Sequence, residues 1–187
     1  VNFLGRTAVV SASVTVSADT SSPTVSIVGS SSLTVFRPNP LSLVSSVSVP
    51  TCKGGTSRAV TYTWKVFRGL ELLAELTNTA TDPRAFKLNG FQLDSDNEYT
   101  VQVTAALTLN PTLLSSAVVS VRVLQSGVRA SITGGRARTA SVLEQFVVDA
   151  SPSEDIDYPH PGSGVGYVGL TKPVSFSWQC VEAAPNF

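Results

Sequence analysis

Methionine is absent from this 187-residue chain, histidine occurs once and cysteine twice. Charged residues make up only 14%, split evenly between 13 basic and 13 acidic side chains, so the formal net charge is zero. Each scarcity excludes something. A neutral chain has no basic field to recruit nucleic acid or an anionic membrane surface. The single histidine, His160, sits in the Pro/Gly-rich YPHPGSG and cannot by itself build a Ser-His-Asp or Cys-His arrangement. Neither G-x-S-x-G nor H-E-x-x-H occurs, GSGVG (162–166) does not join a strand to a helix, and KGG (53–55) has the wrong order for a phosphate loop. No catalytic residue is therefore expected. The apolar runs are short and broken by Ser and Thr, so no direct membrane insertion is expected either. There is no Asn-x-Ser/Thr sequon. The first residue is not Met and no signal-peptide pattern opens the sequence, so the numbering is expected to begin inside a larger polypeptide.

What is present is Ser, Thr and Val, in a chain with 42% hydrophobic residues, enough for a core. β-Branched residues favour strands, and helical surfaces would call for more Glu, Lys, Arg, Ala and Leu. Period-two alternation recurs throughout. In VTYTWKVF, Val60, Tyr62, Trp64 and Val66 share one face. In EYTVQVTAALT, Tyr99, Val101, Val103 and Ala105 do the same. Turn-rich RPNP (37–40), TCKGGTS (51–57), LDSDN (93–97) and Asn110-Pro111 separate the runs. RGLELLAEL (68–76) could form two helical turns, but an edge strand and loop is the preferred reading.

The pattern repeats. VSIVG at 25–29 recurs as ASITG at 130–134, 105 residues on, and LSLVSSVSVP (41–50) falls over FVVDASPSED (146–155) at the same offset. YTWKV (62–66) recurs as FSWQC (176–180), 114 residues on, which puts a nine-residue insertion in DYPHPGSGVGYVG. AVVSASV (8–14) also echoes AVVSVRV (117–123). The expected fold class is therefore all-β, built of tandem immunoglobulin-like or fibronectin-III-like β-sandwiches. Residues 1–19 would be the last strand of a preceding module, 20–124 a complete module, and 125–187 the first half, strands A to C, of a following one. Trp64 and Trp178 would be core residues of strand C. Leu93 and Tyr99 have the spacing of a tyrosine corner, with the phenol hydroxyl bonded back to the chain.

VRASITGGRARTASVLEQFVVDASPSEDIDYP followed by VSFSWQC resembles the repeats of PKD/REJ (receptor for egg jelly) regions. The resemblance rests on Ile132, Gly134, Gly135, Arg138, Asp149, Ala150, Ser151, Ser153, Asp155, Asp157, Trp178 and Cys180, with Pro50, Cys52, Tyr62 and Trp64 as a looser upstream match. Glu154 and the long inserted loop depart from the family pattern. The resemblance implies a non-catalytic, extracellular segment of a large cell-surface protein such as polycystin-like or egg-jelly receptors, often at a ciliary or flagellar membrane. Its partners would be neighbouring modules of the same polypeptide or assembly. The alternative is an adhesion module that binds a glycan or protein through the 156–169 loop.

The cysteines bear on this. In an extended array Cys52, in the B–C loop, and Cys180, at the end of a later strand C, lie too far apart for a disulfide, which needs Cα atoms within about 7 Å. Both are expected to pair with cysteines outside these residues. Free thiols or folded-back modules are the competing readings. Further candidates carry their own bland counterparts. Asp149, Asp155 and Asp157, with Ser153 and Glu154, concentrate oxygen ligands that could hold Ca²⁺, or could cap their own turn. No other cofactor is expected. Arg136 and Arg138 could bind an acidic glycan or partner, or merely guard a strand edge. Tyr158 and Tyr167 could stack on sugars, or pin the inserted loop to the sandwich.

Overall fold

The computed structural model describes residues 5, 9–13, 22–49, 59–141, 143–160, 169 and 171–181. Among the described residues ten strands follow one another: β1 (Thr24–Ile27), β2 (Ser32–Phe36), β3 (Leu41–Ser48), β4 (Val60–Arg68), β5 (Glu71–Leu72), β6 (Ala85–Leu88), β7 (Asn97–Leu107), β8 (Asn110–Leu124), β9 (Val128–Arg129) and β10 (Glu154–Asp155). No helix occurs among the described residues. The preferred reading of RGLELLAEL is met: β4 turns at Gly69-Leu70 into the two-residue edge strand β5.

β1, β3 and β6 form one antiparallel sheet, in the order β1-β3-β6. The other runs β2-β8-β7-β4-β5, with β2 parallel to β8 and every other pair antiparallel. The chain crosses from the first sheet to the second between β1 and β2, where Gly29 takes φ 110°, a backbone state that side chains disfavour. This is the strand order of an immunoglobulin-type sandwich whose first strand is shared between sheets. The alternation read from the sequence sets its interior: Tyr99, Val101, Val103 and Ala105 of β7 are buried and face Val119, Val121 and Val123 of β8 on the same sheet. Leu41 and Leu43 of β3 and Phe86 and Leu88 of β6 close the core from the opposite sheet. Trp64 joins the two sheets, its ring 5.4 Å from that of Phe86 and its Nε1–H donated to the Pro83 carbonyl at 3.1 Å.

One sheet edge, that of β6, is covered. Asn78 lies along β6, accepting from Lys87 N–H at 2.9 Å and donating to the Ala85 carbonyl at 2.7 Å. Thr79 donates both its N–H and its hydroxyl to the Lys87 carbonyl. Side chains thus occupy backbone groups that would otherwise template another strand.

Two backbone hydrogen bonds stand at the offset at which the sequence motifs recur. Val28 N–H donates to the Val44 carbonyl at 2.8 Å, and Thr133 N–H donates to the Asp149 carbonyl at 2.9 Å, each partner 105 residues further on. Gly134, the counterpart of Gly29, also has positive φ, at 84°. β9 pairs with β10 where the second copy's first two strands should meet, one residue out of register with the β1–β3 ladder.

Beyond that pairing the second copy departs from expectation. Residues 171–181 form no ladder, and Trp178 is 56% exposed rather than a buried residue of strand C. The physical reason lies in what surrounds it. Trp64 is half-buried because β6 brings Phe86 to its ring and β7 pairs along its strand, and among the described residues nothing plays either part for Trp178. The N-terminal echo likewise forms no strand over 9–13, where Val9 and Val10 stand exposed.

Candidate functional site

A dense polar constellation lies where the second copy meets the first. Arg37 follows β2 and is buried, which a guanidinium tolerates only with partners at every side. Its Nη1 donates to the Asp157 carbonyl, and its Nη2 faces Asp94 Oδ1 at 3.5 Å. The guanidinium lies 4.2 Å from the Tyr158 ring centroid and 5.8 Å from that of Phe91. Phe91 and Asp94 come from the β6–β7 connection, whose shape is set locally. Phe91 itself adopts φ 66°, and its N–H donates to the Arg37 carbonyl at 2.7 Å. Gly90 passes so close to the chain that a Cβ there would sit 2.1 Å from the Pro38 carbonyl oxygen.

The same connection holds the tyrosine corner. Tyr99 is buried, and its hydroxyl accepts from Asp94 N–H at 2.9 Å. Burial pushes its phenol above the ordinary value.

The acidic run supplies the other side of the junction. Asp157 is buried, and its carboxylate accepts from the Ser126 N–H at 2.8 Å and the Ser126 hydroxyl at 2.7 Å. Asp155 Oδ1 accepts from Asp157 N–H at 2.9 Å, an Asx turn. Asp149 accepts from the Ser151 N–H and hydroxyl and from the Thr133 hydroxyl. Those bonds hold its carboxyl below the usual range, the Ser151 N–H foremost. The three aspartates are therefore occupied separately, and among the described residues no group of three His, Cys, Asp or Glu converges on a point. Glu154 is buried against Arg129, and Ser153 bonds both N–H and carbonyl of Ser131.

The remaining candidates scatter. Tyr158 lies under Arg37, with Lys172 Nζ also over its ring at 3.9 Å and Ser95 Oγ 3.4 Å from its hydroxyl. Tyr167 and Cys52 lie outside the described residues. Arg138 folds back over Gly134 toward the Val147 carbonyl, and Arg136 is exposed. Cys180 is an exposed free thiol. Val148, Asp149, Ala150, Ser151, Phe176 and Trp178 line an open depression of about 310 Å³. Sequence reasoning missed Arg37. Its only signal was a cation inside the RPNP turn, and nothing in the sequence tells a buried arginine from a solvated one.

A family model described as the REJ domain matches residues 45–186. The chain belongs to the REJ domain family. The REJ match starts inside β3 and runs through the junction to the strand C counterpart, so it leaves out β1 and β2 and takes in β4 to β10. No curated protein matches the chain significantly. Among solved structures, it is similar to the three N-terminal domains of the bacteriophage RB49 highly immunogenic outer capsid protein (Hoc). That likeness has 16% identity and a TM-score of 0.35, covering 60% of this chain and 32% of that one. The match thus spans about a third of that three-domain chain. It is also similar to murine CRIg, at 16% identity and a TM-score of 0.34, over 54% of this chain and 97% of that one. For this REJ chain, the sandwich assignment rests on its own strand order.

Proposed function

We propose that this REJ segment is a non-enzymatic structural spacer in the extracellular part of a large cell-surface receptor or fibre protein, in the ciliary or flagellar setting its family resemblance implies. The observation that carries the reading is the REJ match across residues 45–186. Two features of the fold support it. The outer edge of β6 is covered by Asn78 rather than left open to another strand. The polar groups that concentrate in the structure tie the chain to itself: Arg37, Asp157 and Ser126 meet one another at the junction. Among the described residues no helix is long and apolar enough to cross a membrane.

Tandem sandwiches would run on from this chain, with the exposed face at Phe176 and Trp178 covered by strands of the same module. Cys52 and Cys180 would each be bridged to cysteines outside residues 1–187. Non-reducing peptide mapping of the native full-length protein tests this: two such external bridges are the expected result. A direct Cys52–Cys180 bridge would overturn the extended array, and two free thiols would remove the case for stiffening by disulfides. The adhesive alternative keeps less ground, because Tyr158 is held by Arg37 and Lys172 and is not free to stack on a sugar. Glycan-array binding that is lost on altering the 156–169 loop would restore it.

A further inference from the structure

We propose that Arg37 is a latch that joins the sandwich and the segment 125–158 into one cooperative folding and load-bearing unit. Folded units joined by a short connection move relative to one another by default, unless the contact between them is extensive and specific. Here the connection has no slack. Gln125 donates its amide to Asp96, Ser126 is held by Asp157, and Ile156 N–H donates to the Gly127 carbonyl at 3.0 Å. Three successive linker residues are thereby bonded, either back to the sandwich or forward to the acidic run.

Arg37 sits at the centre of that arrangement, with partners from both sides. Phe91 and Asp94 belong to the sandwich, and the Asp157 carbonyl and Tyr158 ring belong to the segment. The side chain is 6% exposed, so its charge depends on those partners instead of water. Opening the junction would strand a guanidinium beside Phe91 and withdraw the carbonyl that satisfies it. Buried charges resist such a loss of partners far more than surface pairs do. Because the partners share one cation, disturbing either side should loosen the other. The pattern therefore acts as a lock between repeats, and it would hold in a spacer or in an adhesive module alike.

The test is hydrogen exchange, read residue by residue by NMR on the full 187-residue chain. Arg37→Leu should speed exchange at the Ser126, Thr133 and Ile156 amides on the order of 10- to 100-fold. Val101 and Val103, paired in the middle of β7, should change less than about 3-fold. No change at Ser126 and Ile156 would overturn the latch. So would an equal rise at all five amides, which would make Arg37 an ordinary stabiliser of the sandwich. Should Arg37→Leu fail to fold, Tyr158→Leu approaches the same contact from the other side. It should give the same selective rise, and also speed exchange at Phe91, whose N–H is bonded to the Arg37 carbonyl. Unaltered exchange at Ser126 and Ile156 in that variant would equally sink the proposal.

Discussion

Trp64 and Trp178 hold the same place in two copies of one pattern and meet different surroundings. Trp64 stacks on Phe86 inside a two-sheet core, and Trp178 is more than half exposed. The two copies agree in their earliest features: a positive-φ glycine at 29 and 134, and a backbone bond from 28 to 44 matched by one from 133 to 149. They part where long-range pairing begins. The contrast shows which parts of the repeat are local. A first-strand turn and its bond to the second strand form without a finished core, whereas a strand C tryptophan packs into the core only when partners from the opposite sheet and the neighbouring strand arrive.

The largest effect should come from removing the ring at each site in turn. Trp64→Ala should destabilise the sandwich by about 2–3 kcal/mol, somewhat below the cost of emptying a fully buried aromatic site because Trp64 is half-buried. Trp178→Ala in this chain should cost less than about 0.5 kcal/mol, as for an exposed substitution. Denaturant unfolding of both variants checks the pair. Equal losses would mean that the second copy holds a packed core of its own.

Gly90→Ala comes next and strikes the first copy directly, beside the Arg37 junction. Its Cβ would meet the Pro38 carbonyl oxygen, and backbone cannot swing aside as a side chain can. A loss of about 2–3 kcal/mol is expected, as for an overpacked site. The midpoint of urea unfolding reads it out.

Most of the first copy was legible in the sequence. Alternation in VTYTWKVF and EYTVQVTAALT named the inward faces, and the L-x5-Y spacing named Tyr99, because period two maps directly onto a sheet with one buried face. The repeat offset of 105 was legible too. What could not be read was burial in the second copy. FSWQC has the same alternation as YTWKV, but pattern alone cannot say whether a facing sheet is at hand. Arg37 was hidden for a related reason: its partners Asp94 and Asp157 are 57 and 120 residues away along the chain. Composition counts the oxygens of Asp149, Asp155 and Asp157 as ligand candidates, and only the fold shows the bonds that Ser151, Thr133, the Asp157 N–H and Ser126 make to them.

A smaller effect separates the copies under alkali. Tyr99→Phe removes the acceptor of the Asp94 N–H and should cost about 1–2 kcal/mol. The wild-type phenol is neutral when buried and its value is raised by folding, so its contribution is complete below the unfolded-state value near 10 and lost as pH rises through the folded one. Chemical unfolding followed above about pH 10 should show that loss in the wild type and a shallower one in Tyr99→Phe.

Under acid the order reverses, and the second copy should yield locally. Asp149 has its carboxyl held low, first by the Ser151 N–H, then by the Ser151 and Thr133 hydroxyls. A group lowered by folding contributes fully above its unfolded value and loses that contribution as pH falls through the folded one. Protonation converts an acceptor of three hydrogen bonds into a weaker one, so the turn at 149–151 should loosen while β4 and β7, whose interior carries no carboxylate, stay paired. The Ser151 amide resonance is the direct reporter. It should shift as pH is lowered below about 4 in the wild type and stay still in Asp149→Asn. A Ser151 resonance that ignores pH in both would mean that the turn is held by its backbone bond to Thr133 alone. In that case the resemblance between the two copies would rest on the ladder they share and not on the aspartate that only the second one carries.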